Sequence, residues 1–174
     1  MDQNFDHAFD LVLKSEGGYS NDPADHGGET NLGVTKASWA SYIGRPVQAG
    51  EMHALTKDRV SPYYKQGYWD KCCCDELPAG LDYAVFDFAV NAGPGRASKF
   101  LQQAVGVVPD GAIGPNTMAA VAKADASDAL EQFAAAKRFF YKGLVLRDPS
   151  QSRFIKGWLA RVDSVQQTAS AMLA

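Results

Sequence analysis

The 174-residue chain lacks any apolar run near the ~20 residues that a membrane-spanning helix needs. It holds only 3 Cys and 3 His. The cysteines are adjacent, Cys72-Cys73-Cys74, whereas zinc sites use separated pairs with further ligands elsewhere. Adjacent cysteines also make a strained disulfide, so three reduced, partly buried thiols are expected. His7, His26 and His53 show no H-E-x-x-H spacing. Neither a metal nor a cofactor is expected. There is no dense basic stripe and no nucleic-acid reading motif, so nucleic acid is not an expected partner. The opening Met1-Asp2-Gln3-Asn4-Phe5-Asp6 is acidic and polar, unlike a secretory leader. The expectation is synthesis in the cytoplasm without a signal peptide, with any outside role requiring release by other means.

What is present is an ordinary globular mixture, 46% hydrophobic and 21% charged. Its length suits one compact domain or two small subdomains. The net charge of -3 hides an asymmetry: residues 1–92 carry 7 Lys/Arg and 14 Asp/Glu, while residues 93–174 carry 10 and 6. Solvated helix faces account for this, or else the second half leans on an anionic surface. A monomer is the default.

Apolar spacing predicts helices almost throughout. Phe5, Ala8, Phe9, Val12 and Leu13 give a first helix stopped at Gly17-Gly18. Residues 17–35 are polar and rich in Gly, Asn and Asp, which predicts turns or a short irregular hairpin. Lys36 to Ile43 follows as a helix ended by Gly44. Thr56 caps another that runs toward Tyr68, with Pro62 demanding a kink or a late start. Pro78 opens a helix with a stripe of Leu81, Ala84, Val85, Phe88 and Ala89, closed by Gly93-Pro94-Gly95. Phe100, Leu101, Ala104 and Val105 mark another helix, and Asn116 to Ala124, Ser127 to Arg147 and Gln151 to Leu173 complete the set. The expected fold is mainly α, with a small polar loop or β-hairpin lip near the N-terminus.

Glu16 is the residue with chemical promise. It lies at the end of the first helix, where the partial negative charge makes a carboxylate unfavourable by a few tenths to about 1 kcal/mol. An apolar backing from Phe9, Val12 or Leu13 would also favour a carboxyl that keeps its proton. The glycine-rich segment beyond it supplies Asp22, Asp25, Glu29 and Thr30. Folded back as a cleft lip, it would face Glu16 with a second polar group. Glycoside hydrolysis needs that arrangement: one carboxylic acid protonates the leaving oxygen, and a second group steers water or steadies the cation.

Glu16-Gly17-Gly18-Tyr19, the turn at Asn21-Asp22-Pro23, and Gly27-Gly28-Glu29-Thr30-Asn31-Leu32-Gly33 resemble the signature of the family 108 glycoside hydrolases. These are lysozyme-like muramidases found mainly in phage endolysins. The resemblance extends to Phe86-Asp87-Phe88-Ala89-Val90-Asn91-Ala92-Gly93, similar to the family's central helix. Asp110-Gly111-Ala112-Ile113-Gly114-Pro115-Asn116-Thr117 and the segment from Phe154 to Arg161 are similar to its C-terminal peptidoglycan-binding part. It implies a lysozyme-like catalytic part over 1–92 and a helical peptidoglycan-binding part over 93–174, packed as one unit.

The resemblance further implies cleavage of the β-1,4 bond between N-acetylmuramic acid and N-acetylglucosamine, with Glu16 as general acid. Asp25 and Thr30, by analogy with small phage lysozymes, would position water. Asp22 competes for that role, although it is also good turn chemistry before Pro23. Retention and inversion both stay open. Substrate candidates are Tyr19, Asn21, Asp22, Asn91 and Gly93. Flat faces for sugars also come from Trp39, Tyr63, Tyr64, Trp69 and Tyr83, which equally suit a core. The partner would be peptidoglycan glycan strands. Lys137, Arg138, Lys142, Arg147, Arg153, Lys156 and Arg161 could add attraction to an anionic envelope surface. The protein would then act in the periplasm or on the wall after release. A lytic transglycosylase on the same bond is the near alternative. A non-catalytic wall-binding or secretion-assisting protein is another, and a zinc amidase lacks ligands.

Overall fold

The computed structural model describes residues 2–21 and 28–173. Helical spacing puts Phe5, Ala8, Phe9 and Val12 on one side of α1 (Asp2–Ser15), and all four are buried. Phe5 stacks on Phe9 at 5.5 Å and meets Trp69 and Phe86 edge-on. A small antiparallel hairpin follows, β1 (Thr30–Asn31) and β2 (Val34–Thr35), with Thr30 opposite Thr35 and Asn31 opposite Val34. Ser20 adds an isolated bridge to Thr30. Val34 is buried, and the buried Asn31 amide donates to the Met52 carbonyl at 2.8 Å, which pins the hairpin to the body.

The Thr35 hydroxyl accepts from the Ser38 amide and starts α2 (Lys36–Ile43), which ends at a left-handed Gly44. Thr56 caps α3 (Lys57–Tyr64) in the same way. Past Pro62 the helix does not continue to Tyr68 as α. Lys65–Trp69 forms a π-helical turn, and Asp70–Cys72 and Cys74–Glu76 are 3-10 turns. Cys72 and Cys74 are buried, Cys73 is half-buried, and all three are free thiols.

The central helix, α4 (Leu81–Ala92), begins three residues after Pro78 rather than at it. The Asp82 carboxylate accepts from the Gly80 and Tyr83 amides at 2.7 and 2.6 Å and shapes that start. Gly80 has φ 87, and any Cβ there would collide with the Ala169 carbonyl. Every residue from Leu81 to Ala89 is buried, so α4 is hydrophobic all round and must be surrounded. Its neighbours are α1, α5 (Pro94–Ala104), α7 (Ala126–Arg147) and α8 (Ile155–Met172). Between α5 and α7 lies α6 (Pro115–Lys123). The last helix does not start at Gln151: Asp148 accepts from the Ser150 amide and caps a 3-10 turn over Pro149–Phe154, which leads into α8. Trp158 of α8 stacks on Tyr141 of α7 at 5.1 Å, while Val162, Val165 and Ala169 are buried. The fold is mainly α and lysozyme-like, with the hairpin as its lip. No helix among the described residues is long and apolar enough to cross a membrane.

Candidate active site

Glu16 stands one residue beyond α1, its amide donating to the Leu13 carbonyl at 3.2 Å. Its side chain is 22% exposed, reachable yet partly withdrawn from water. The hairpin turn, α3 and α8 meet around it. Gly33 has φ 74, and a Cβ on it would lie 2.5 Å from the Tyr64 hydroxyl and 3.0 Å from Glu16 Oε2. The Tyr64 ring is buried, and its hydroxyl donates to the Leu32 carbonyl at 2.8 Å. Arg161 Nη2 donates to Glu16 Oε1 at 3.3 Å across a sequence separation of 145 residues.

Arg161 is shared. Its Nε and Nη2 also donate to Asp87 Oδ1 at 3.0 and 2.8 Å. The other Asp87 oxygen accepts from Lys137 Nζ at 3.2 Å, and these two side chains are 2% and 3% exposed. Lys137 also lies over the Phe88 ring, 5.1 Å from its centre. A row of alternating charge therefore runs from Glu16 through Arg161 and Asp87 to Lys137, one residue each from the end of α1, α8, α4 and α7. Burial pulls the Lys137 ammonium below its ordinary range, against the opposing pull of Asp87. Burial works against the Arg161 charge too, but Asp87 and then Glu16 more than offset it. Burial first, and the Glu16 charge second, push the Tyr64 phenol well up. Burial and the nearby Asp87 charge push Tyr83 and Tyr141 up to about 12.

Among the sequence candidates, Thr30 sits on β1, just before the Leu32-Gly33 turn that touches Glu16. Its backbone exchanges hydrogen bonds of 2.8 and 2.9 Å with Ser20. Asp22 and Asp25 lie outside the described residues. Tyr19 is exposed, donates to Glu29 at 3.1 Å and meets His53 edge-on at 4.8 Å, and the Asn21 side chain acts on its phenol. Asn91 accepts from the Tyr141 hydroxyl at 2.6 Å. Gly93 lines an open groove of about 630 Å³ with Arg96, Lys99, Phe100 and Asp110. None of these side chains bonds to Glu16 among the described residues.

Four of the aromatic candidates, Trp39, Tyr64, Trp69 and Tyr83, are buried in the core. Tyr63 is different. With Tyr42 and Tyr68 it lines a groove of about 480 Å³ that also shows Ser38, Ser41 and Lys71. The Tyr63 and Tyr68 hydroxyls are 3.3 Å apart. Tyr68 lies one ring from Tyr64, at 5.7 Å, and feels the Glu16 charge. Glu16 is not among the residues lining the groove; Tyr68 and the buried Tyr64 connect the two.

Sequence reasoning alone did not assign Arg161, Asp87, Lys137 or Tyr68 to the site. A signal existed for two of them. Asp87 falls in a helix of nearly unbroken apolar residues, and Lys137 falls on the α7 stripe with Leu130, Phe133, Ala134 and Tyr141. Charges at such positions need partners. Among the described residues, no three His, Cys, Asp or Glu side chains converge as a metal site would require.

Two family models match the chain. Residues 9–93 match the family model described as glycosyl hydrolase 108, and residues 96–163 match the one described as a predicted peptidoglycan domain. Among solved structures, 12 chains match. One of them, SagA of Brucella abortus, is 42% identical, with a TM-score of 0.86, covering 99% of this chain and 97% of its own. Among curated proteins none matches. The chain belongs to the glycosyl hydrolase 108 family and is a peptidoglycan-binding, lysozyme-like peptidoglycan hydrolase.

Proposed function

We propose that the enzyme is an N-acetylmuramidase that cuts the β-1,4 bond from N-acetylmuramic acid to N-acetylglucosamine, with Glu16 as general acid. The observation that carries this reading is the Glu16 carboxyl itself: partly withdrawn from water where the hairpin turn, α3 and Arg161 meet, and linked through Tyr64 and Tyr68 to a tyrosine-lined groove. Glu16 gives its proton to the bridging oxygen as the bond from muramic C1 breaks. Water adds its hydroxyl to C1 and yields its remaining proton to a base. In this reading Asp25, with the Thr30 hydroxyl, holds that water. Asp22 is the competing carboxylate, and Asp25→Asn against Asp22→Asn separates them.

The glycan strand lies along the groove, one ring stacked on Tyr63 and Tyr68, with Tyr19, Asn21, Asn91 and Gly93 lining its further path. Residues 1–92 form the catalytic part and residues 93–174 the helical wall-binding part. The enzyme works as a monomer, on the wall or in the periplasm, after release from the cytoplasm as a phage or prophage endolysin is released. Of the second-half cations, Lys137, Arg138 and Arg161 are engaged in ion pairs with Asp87, Asp163 and Glu16. Among the described residues no ion pair involves Lys142, Arg147, Arg153 or Lys156, and these four supply the attraction to an anionic envelope.

The test is product analysis of purified peptidoglycan digested by the wild type and by Glu16→Gln. Reducing muramic ends from the wild type and none from the variant are expected. Ends of the 1,6-anhydro type would reassign the enzyme as a lytic transglycosylase, and an active variant would remove Glu16 from its role.

A further inference from the structure

Arg161 divides its bonds unequally. Its two shorter ones, 2.8 and 3.0 Å, go to Asp87, and the longer, 3.3 Å, goes to Glu16. Asp87 is anchored in turn by the buried Lys137 at 3.2 Å. Burying such a pair seldom gains stability over an apolar core, because desolvation consumes the attraction. A row with such a pair at its buried end therefore asks for a reason other than stability, and its other, partly exposed end is the carboxyl that must hold and then release a proton.

We propose that Asp87 is a positioning residue for hydrolysis: anchored by Lys137, it occupies the Arg161 guanidinium and thereby sets how firmly Glu16 keeps its proton. The inference rests on Glu16 being the acid. It also changes the meaning of the second half of the chain. Lys137 and Arg161 both lie in the segment matched by the predicted peptidoglycan domain. That segment completes the catalytic centre and is not merely a wall anchor.

The charged and titratable groups around the row define the balance. Glu16 faces Arg161 from α8, Tyr64 from α3 and Tyr68 from the π turn. Asp87 faces Lys137 and Arg161, with Tyr83 and Tyr141 inside the reach of its charge. Arg138 repels Lys137, and Arg96 acts on Tyr141. Without Asp87, the guanidinium would turn its full charge on Glu16 and favour the ionised acid. Without Arg161, the protonated acid would be favoured.

The pH dependence of kcat/KM on solubilised glycan strands tests this with the full-length chain. Activity falls at high pH as the general acid loses its proton. In Asp87→Asn this limb is expected to move to lower pH by about one unit, and in Arg161→Gln to higher pH by a similar amount. Loosened packing would lower rates at every pH without moving the limbs in opposite directions. Asp87→Asn leaves Lys137 buried without its carboxylate and is at risk of not folding. The double variant Asp87→Asn/Lys137→Met removes the pair together, and its limb is expected to move down as well. Limbs that coincide with the wild type in Arg161→Gln and in a folded Asp87 variant would overturn the proposal. Full activity in Glu16→Gln would instead remove the acid assignment on which it stands.

Discussion

The Tyr64 hydroxyl donates to the Leu32 carbonyl, and the space it fills is where a side chain on Gly33 would stand. The bond fastens the hairpin turn to α3 close to Glu16. Gly33→Ala forces a Cβ into that contact while keeping φ 74, a conformation L-residues rarely adopt. A stability loss of about 1–3 kcal/mol is expected, measured by denaturant unfolding. Wall-clearing activity at a temperature where the variant is still folded should fall further than stability does, because Glu16 Oε2 is the next atom in line. An unchanged unfolding midpoint would show that the turn can open without cost.

The tyrosine-lined groove carries a separate expectation. Tyr63→Ala or Tyr42→Ala removes a stacking face while leaving Glu16 and Arg161 in place. Such a change should raise KM for glycan strands about tenfold and alter kcat much less. Steady-state kinetics decides it, and a loss confined to kcat would place the strand elsewhere.

Glu51 offers a pH test remote from catalysis. Arg45 donates two bonds of 2.9 Å to its carboxylate, and the Gln48 amide adds one at 3.1 Å. Led by Arg45, these partners lower its pKa from 4.5 to about 2. A lowered folded value contributes stability that is complete above 4.5 and disappears as the pH falls toward about 2. Thermal midpoints of the wild type and Glu51→Gln should therefore differ most near neutrality and converge in acid. A constant gap would mean that the Glu51 charge is not what Arg45 holds.

The cysteine run should behave as three unequal thiols. Cys72 and Cys74 are buried, while Cys73 is partly accessible and its thiol is pushed up by burial and by neighbouring acids. At neutral pH a bulky alkylating reagent should modify at most one thiol in the native protein, slowly, and all three in denaturant. Mass spectrometry of the labelled chain reads the count.

Much of this molecule is legible in its sequence because much of it is local. The cap and stop of α2, at Thr35 and Gly44, and the amphipathic stripe of α1 follow from residues within a few positions of one another. The hairpin is announced by a polar, glycine-rich segment that has nothing to bury. The starts of α4 and α8 are missed for a similarly local reason. Side chains of Asp82 and Asp148 bond to nearby amides and hold the chain in turns that apolar spacing does not reveal. The site is harder. Glu16 is conspicuous as an acid at the wrong end of a helix, but nothing near it announces Arg161. An arginine in the final helix looks like any solvated cation until the fold carries it across α4. Asp87 and Lys137 are readable as charges out of place, though not as partners of each other.

The 145-residue span between Glu16 and Arg161 has a kinetic corollary. Contacts that close so long a stretch of chain are slow to gain, since the entropy of closure is spent before the reward arrives. During refolding from denaturant, the helical circular-dichroism signal should return ahead of the ability to clear cell walls. The lag between them would time the docking of α8.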